Sequence, residues 1–231
     1  MKVLNFYCFE FSTYMLIIGL AFIIAFVIFY KLLNKKNSKI DLLYIYVINI
    51  MGFAIGSKLF SVLSNKEILT LSNYINSGYS YIGGILGSIL LIFIYCKIYK
   101  LDFKHILTVF SVIFPLIYSL SKIGCFLNGC CGGIININNE YYKLPLQLID
   151  STIMFILFLT LLILFIKREK NVINLFFIIF SCIRFFEDYF RNNRNIITVN
   201  LTFEQIICVI IIIITFIINI YQIFKRGYSK I

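Results

Sequence analysis

Residues 205–224 read Gln-Ile-Ile-Cys-Val-Ile-Ile-Ile-Ile-Ile-Thr-Phe-Ile-Ile-Asn-Ile-Tyr-Gln-Ile-Phe, with no charged side chain among them. Hydrocarbon about 30 Å thick is crossed by roughly 20 helical residues, so this stretch predicts a membrane-spanning helix. Residues 11–30 are its counterpart near the N-terminus, equally free of charge. Between these two the same pattern recurs, giving seven spans at 12–33, 41–63, 79–97, 105–126, 146–166, 172–190 and 201–224. The third is softened by Gly83, Gly84 and Gly87, and the sixth carries Arg184, Glu187 and Asp188. The chain is 61% hydrophobic and 13% charged, with a mean hydropathy of +0.96; a water-soluble domain needs far more polar surface. The expected fold class is therefore all-α, a polytopic helical bundle forming one transmembrane domain over 1–231. The first span lacks the basic leader and small-residue cleavage site of a signal peptide, and its apolar run is too long.

The net charge of +11 would suggest nucleic acid in a soluble protein. In a lipid-embedded chain it reads instead as loop lysines meeting anionic headgroups, so membrane lipids are the expected partners and nucleic acid is not. One side of the predicted bundle collects Lys31, Lys35, Lys36, Lys39, Lys97, Lys100, Lys104, Lys167, Arg168, Lys170, Lys225, Arg226 and Lys230. The other collects only Lys2, Lys66, Lys143, Arg191 and Arg194. The positive-inside rule then predicts an outside N-terminus and a cytoplasmic C-terminus.

Three basic residues remain, Lys58, Lys122 and Arg184, in spans two, four and six. A charge in hydrocarbon costs several kcal/mol and usually faces a bundle interior or a wet cavity. All three spans run outward, and each charge falls in the last third of its helix, which puts them at one depth. Tyr14, Gly83, Gly84, Gln147 and Asp150 share that level, and Asp188 follows Arg184 by one turn. Each cation taken singly reads equally well as snorkelling to the surface or pairing with a neighbour. Together they point to a site for an anionic lipid headgroup, since Lys and Arg bind phosphate through charge-assisted hydrogen bonds.

Residues 121–133, Ser-Lys-Ile-Gly-Cys-Phe-Leu-Asn-Gly-Cys-Cys-Gly-Gly, close the fourth span with glycines that let backbone N–H groups approach an anion. The segment resembles the signature of the bacterial prolipoprotein diacylglyceryl transferase family, Gly-Arg-Ile-Gly-Asn-Phe-Ile-Asn-Gly-Glu followed by Gly. It keeps Ile123, Gly124, Phe126, Asn128, Gly129 and Gly133, with Lys122 at the arginine position. Tyr14-Met15-Leu16 is similar to that family's Tyr-Gly-Leu, and Gly56-Ser57-Lys58-Leu59 to its Gly-Ala-Arg-Leu. Ser80-Tyr81-Ile82-Gly83-Gly84 falls where the family has Ser-Phe-His-Gly-Gly. Leu144-Pro145-Leu146-Gln147-Leu148-Ile149-Asp150 resembles His-Pro-Ser-Gln-Leu-Tyr-Glu, and the run Arg184 to Arg191 resembles Arg-Phe-x-x-Glu-Phe-x-Arg.

The resemblance implies transfer of diacylglyceryl from phosphatidylglycerol to the lipobox cysteine thiol of a secreted prolipoprotein, at the bacterial cytoplasmic membrane. No cofactor or metal is expected. It assigns Lys122 and Arg184 to the phosphate and Lys58 to the headgroup, with Tyr14 in the catalytic set. Asn128, Gly129, Gly133, Gly83 and Gly84 would orient the lipid, with Gln147, Asp150 and Arg191 also lining the substrate. Asp188 would hold Arg184 or help accept the thiol proton. The chain departs from the pattern where the family's histidine is Ile82, and where its loop Asn and Glu are Cys125 and Cys130. The lone histidine, His105, begins span four at the cytoplasmic side.

Cys125, Cys130 and Cys131 are open to four readings: a disulfide bracing the loop, plain free thiols, a redox-active or acceptor thiol, or a metal site short of a histidine. Two further functions stay in view: a related membrane enzyme with another acceptor, and a non-catalytic lipid-binding or transport protein. A transporter predicts internal repeats, and residues 1–115 and 116–231 show none.

Overall fold

The computed structural model describes residues 3–6, 9–33, 39–65, 68–137, 140–168, 171–191, 196–198 and 201–228. Lys2, Lys35, Lys36, Lys66, Lys170, Arg194 and Lys230, all used in the side-to-side charge count, lie outside the described residues, as does Cys8. The long helices are α1 (Thr13–Leu33), α2 (Lys39–Ser64), α4 (Tyr81–Tyr99), α5 (Phe103–Leu127), α6 (Leu146–Ile166), α7 (Val172–Glu187) and α8 (Phe203–Tyr228). A short helix, α3 (Leu71–Asn76), lies between α2 and α4. Three two-stranded hairpins complete the chain: β1–β2 (Val3–Phe6, Phe9–Ser12), β3–β4 (Gly133–Ile137, Glu140–Leu144) and β5–β6 (Ile196–Thr198, Leu201–Thr202).

Every expected span is a helix, with its ends shifted by at most four residues. Six of them, among the described residues, are long and apolar enough to cross a bilayer. The seventh, α7, has 16 residues, about 24 Å at 1.5 Å per residue. A 3-10 turn, Asp188–Phe190, continues it. It is the helix that carries Arg184 and Glu187, so its apolar face is interrupted by the charges that its neighbours compensate.

The chain divides into two compact units, 26–110 and 1–25 with 111–231. In the first, α2 and α4 approach backbone to backbone. Gly52 and Gly56 on α2 meet Gly83 and Gly87 on α4, each pair spaced one turn apart. A Cβ at Gly52 would lie 2.7 Å from the Gly87 carbonyl oxygen, and one at Gly56 would lie 2.8 Å from the Gly87 Cα. Small residues at this spacing let membrane helices pack on van der Waals contact. Ser88 donates to the Asn49 carbonyl at 3.1 Å across the same seam. Phe29, Tyr46 and Phe110 form an aromatic cluster in the same unit, Phe110 stacking on both of the others, with Phe29–Phe110 centroids 4.8 Å apart.

In the second unit, α7 and α8 run antiparallel and are tied at both ends. Asn174 near the start of α7 donates to Asn219 far along α8 at 2.5 Å, and Arg184 near the end of α7 meets Glu204 at the start of α8. Helix α6 joins α5 where the Ser119 hydroxyl donates to the Ser151 carbonyl at 2.8 Å. Phe114 and Tyr118 of α5 pack on Phe176 and Phe180 of α7 at centroid distances of 5.4–5.9 Å, an aromatic floor one turn below the first of the buried charges.

Candidate active site

The last turns of α5 and α7 and the first turns of α6 and α8 meet at one level of the 1–25/111–231 unit, and a buried ionic cluster fills the meeting point. The Lys122 ammonium lies 2.6 Å from Asp150 Oδ2 and 2.7 Å from Glu187 Oε1, with all three side chains almost fully enclosed. Arg184 donates to Glu187 Oε2 at 2.6 Å and to Glu204 Oε2 at 2.5 Å. Glu187 thus bridges the two cations. The Tyr118 hydroxyl donates to Glu187 Oε2 at 3.2 Å and accepts from Arg184 at 3.1 Å. Its ring lies under the Lys122 ammonium at 5.1 Å, a cation–π contact that the enclosure strengthens.

The expected pairing of Arg184 with Asp188 gives way to another arrangement. Helix α7 ends at Glu187, and the 3-10 turn that follows carries Asp188 away from the regular i, i+4 position. Asp188 accepts from the Thr202 hydroxyl at 2.6 Å and faces Arg191 at 3.7 Å. Gln205 closes the corner: its side-chain oxygen accepts from the Thr202 N–H at 3.0 Å and its amide donates to the Phe185 carbonyl at 3.2 Å. Arg191 reaches Glu204 at 3.4 Å. Among the described residues the connected set holds three cations, Lys122, Arg184 and Arg191, against four carboxylates, Asp150, Glu187, Asp188 and Glu204. Buried charges in such a setting are tolerated because each is paired and hydrogen-bonded.

The glycine–cysteine loop lies over this cluster. Gly129 adopts φ +72°, a left-handed conformation that side chains other than glycine resist. Gly133 permits a close approach: a Cβ there would lie 2.7 Å from the Phe190 carbonyl oxygen, where β3 forms an isolated bridge to Arg191. Gln147 donates to the Cys130 carbonyl at 2.5 Å. Tyr14 rests on the bare face of Gly124, its ring carbon 3.1 Å from where a Cβ would stand, two residues beyond Lys122. Asn128 presents a buried Oδ1. The three thiols of Cys125, Cys130 and Cys131 are free, with their sulfurs within 4.8 Å of one another. A hydrogen bond with Cys125, helped by the Lys122 and Arg191 charges, holds the Cys131 thiol below the usual thiol range. Burial pushes Cys130 up.

The remaining expected site residues lie in the 26–110 unit. The Lys58 ammonium donates to the carbonyls of Ile75 at 2.6 Å, Tyr74 at 3.2 Å and Ser77 at 3.5 Å. It also sits over the rings of Tyr74 and Tyr79 at 5.8 and 5.0 Å. It caps the carbonyl end of α3. Gly83 and Gly84 are occupied by the close contacts of α4 with Phe60 and Phe53. Ile82 is buried, and His105 stands at the opposite end of α5 from Lys122.

Sequence reasoning passed over five members of the arrangement: Tyr118, Glu187, Thr202, Glu204 and Gln205. Glu187 had a readable signal, since i, i+3 is as good a helical pairing as i, i+4. Glu204 is the acidic residue in the first turn of the last span. Nothing local marks Tyr118 or Thr202.

This arrangement lies within a chain whose likeness to known proteins is extensive. The family described as prolipoprotein diacylglyceryl transferase matches residues 2–221. The phosphatidylglycerol–prolipoprotein diacylglyceryl transferase of Clostridium tetani is 26% identical over 233 residues, covering 90% of this chain and 92% of that protein. Its counterpart 1 in Clostridium perfringens is 29% identical over 248 residues, covering 96% and 94%. That of Wigglesworthia glossinidia brevipalpis is 28% identical over 202 residues, covering 70% and 72%. The segments that build the ionic cluster, from Tyr14 through Glu204, fall inside the matched range, and the chain belongs to the prolipoprotein diacylglyceryl transferase family.

Proposed function

We propose that this protein transfers the diacylglyceryl group of phosphatidylglycerol to the lipobox cysteine thiol of a secreted prolipoprotein. The observation that carries the reading is the buried Lys122–Glu187–Arg184 bridge, two cations in a low-dielectric setting within a chain of this family. There a fixed positive charge stabilises a departing phosphate far more than it would in water. The substrate thiolate attacks the glyceryl carbon that bears the phosphate. The carbon–oxygen bond breaks, glycerol phosphate leaves with the electron pair, and a thioether remains.

The carboxylates give the step its order. Glu187 accepts from Lys122, Arg184 and Tyr118, so it keeps the cations in register. Asp150 accepts from Lys122 and is the less committed of the two. An arriving phosphate competes with Asp150 for the ammonium, and the displaced carboxylate then takes the thiol proton. Binding the donor thereby prepares the base. Asn128, the loop glycines and Gln147 hold the backbone beside the phosphate, and Tyr14 packs against the same end of α5. In this reading all seven apolar helices span the membrane, the N-terminus is outside, the C-terminus is cytoplasmic, and the ionic cluster lies in the outer half.

The test is transfer itself. Purified protein is incubated with labelled phosphatidylglycerol and a lipobox peptide, beside Lys122→Ala and Arg184→Ala. A thioether-linked product from the native protein, reduced at least about 1000-fold in either variant, is the expected result. No product under conditions where a family enzyme works would sink the reading. Ile82, an apolar side chain where the family has a proton carrier, favours one second reading, that the same lipid donor serves a different acceptor. Release of glycerol phosphate without peptide labelling would select it.

A further inference from the structure

We infer that Cys125, Cys130 and Cys131 form a binding site for a thiophilic cation, Zn(II) or Cu(I), that braces the loop over the ionic cluster. The three sulfurs converge from two different structural settings. Cys125 lies in the last turn of α5, while Cys130 and Cys131 follow Gly129 in the loop. Adjacent residues of an extended chain point to opposite faces. Here Cys131 takes φ +59°, an unusual conformation for a residue with a side chain, and both sulfurs come within 4.8 Å of each other and of Cys125. Sulfurs bound to one tetrahedral zinc at about 2.3 Å stand about 3.8 Å apart. Closure onto an ion therefore asks for shifts of about an ångström or less, within the reach of side-chain rotation.

A disulfide accounts for two of these thiols and leaves the third beside it without a role; three sulfurs at one point are the donor set of a soft d¹⁰ cation. The exposure is graded, with Cys125 buried, Cys130 half-buried and Cys131 exposed, so the set is enclosed on one side and open for ion access on the other. The loop that carries it is already ordered. Cys130 N–H donates to the Cys125 carbonyl at 3.0 Å, Asn128 N–H to the Gly124 carbonyl at 3.0 Å, and Gln147 fixes the Cys130 carbonyl. The positive charges of Lys122 and Arg191 act on Cys131. Asn128 lies against the Cys130 thiol, and its buried Oδ1 has no hydrogen-bond partner among the described residues. It offers an acceptor to a water in a fourth coordination position. Binding releases the thiol protons and takes no electrons. The ion stands outside the transfer step, so its presence and the proposed reaction fail or hold separately.

The experiment uses the full chain in detergent micelles with its cysteines reduced. Zn(II) and Cu(I) are titrated separately against a chromophoric chelator, and the bound metal is counted by elemental analysis. The comparison set is Cys125→Ser, Cys130→Ser, Cys131→Ser and a control in which Cys96, Cys182 and Cys208 are all serine. One tightly bound equivalent of either ion is expected in the native chain and the control, with affinity lowered about 100-fold or more by each single substitution in the cluster. Alkylation of Cys130 and Cys131, the two accessible thiols of the cluster, should fall when the ion is present. Cys131 is exposed, so Cys131→Ser tests the site without disturbing packing. The inference is overturned if the reduced native chain binds neither ion, if Cys131→Ser binds as the native chain does, or if the reduced cluster closes into a disulfide that the ion does not prevent.

Discussion

The α2–α4 seam and the α5–α8 corner solve the same problem, joining apolar helices in a solvent that gives them no hydrophobic reason to associate. They do so by opposite means. At the seam, Gly52, Gly56, Gly83 and Gly87 remove side chains until the backbones touch. At the corner, Lys122, Arg184, Asp150, Glu187 and Glu204 add charges that hydrocarbon rejects unless they find one another. The seam depends on shape, with one hydrogen bond from Ser88 to the Asn49 carbonyl across it, and no charged side chain takes part in the contacts described there. The corner is held by pairs that a stronger anion can compete for. Packing that depends on exchangeable partners is also packing that can do chemistry, which is why the reaction is assigned to the corner.

Glu187→Gln breaks the corner with the least change of shape. It leaves Lys122 and Arg184 each short of a carboxylate, and removing one partner of a buried pair costs about 3–5 kcal/mol. Transfer should fall at least about 100-fold, and thermal unfolding in detergent should move down clearly. Asp188→Asn serves as the comparison, because Asp188 is held by Thr202 and a half-exposed Arg191. Its loss should be no more than about 30-fold. Equal losses in the two variants, measured as initial rates of peptide labelling, would mean that Glu187 has no special place as the bridge.

Gly87→Leu breaks the seam instead. The Cβ at Gly87 would meet the Gly52 carbonyl and would stand 2.8 Å from the Gly56 Cα, so backbone rather than a flexible side chain must move. Overpacking of this kind costs about 1–3 kcal/mol, and the prediction is the upper end of that range. Its sign of success is a loss of stability in thermal or denaturant unfolding, with the rate per folded molecule reduced less than 10-fold. A variant that stays fully stable would show that the two helices do not depend on close contact.

How much of this was legible depended on scale. Charge-free runs such as 11–30 and 205–224 set the helices directly, because hydrocarbon thickness imposes a length that composition reveals. Lys122 and Arg184 announced themselves because charges are rare in such runs. Their partners did not. Glu204 is twenty residues from Arg184, and Tyr118 is 66, so only tertiary packing brings them together. The choice of Glu187 over Asp188 turned on where α7 stops, and a boundary shift of one or two residues decides which carboxylate faces the cation. The hairpins and α3 were also missed, being elements of two to six residues with no membrane length rule to mark them. Lys58 resembled Lys122 in sequence, both being lysines late in an apolar helix, but its partners are carbonyls rather than carboxylates.

That difference supports the mildest prediction. Lys58 spans from α2 to the carbonyl end of α3, where a cation stabilises the unsatisfied oxygens of a helix terminus. Lys58→Met keeps the apolar stem and removes the charge. The cost should be about 1–2 kcal/mol, in keeping with charged hydrogen bonds that are partly exposed. The loss should appear as faster proteolysis around residues 68–80 rather than as a collapse of the whole chain. Donor affinity should stay within about 3-fold of the native value, since the ammonium already has contacts with four residues, carbonyls and rings with no carboxylate among those described. A fall in phosphatidylglycerol affinity of 10-fold or more, with the 68–80 segment still protected, would return Lys58 to the headgroup role that its place in the sequence first suggested.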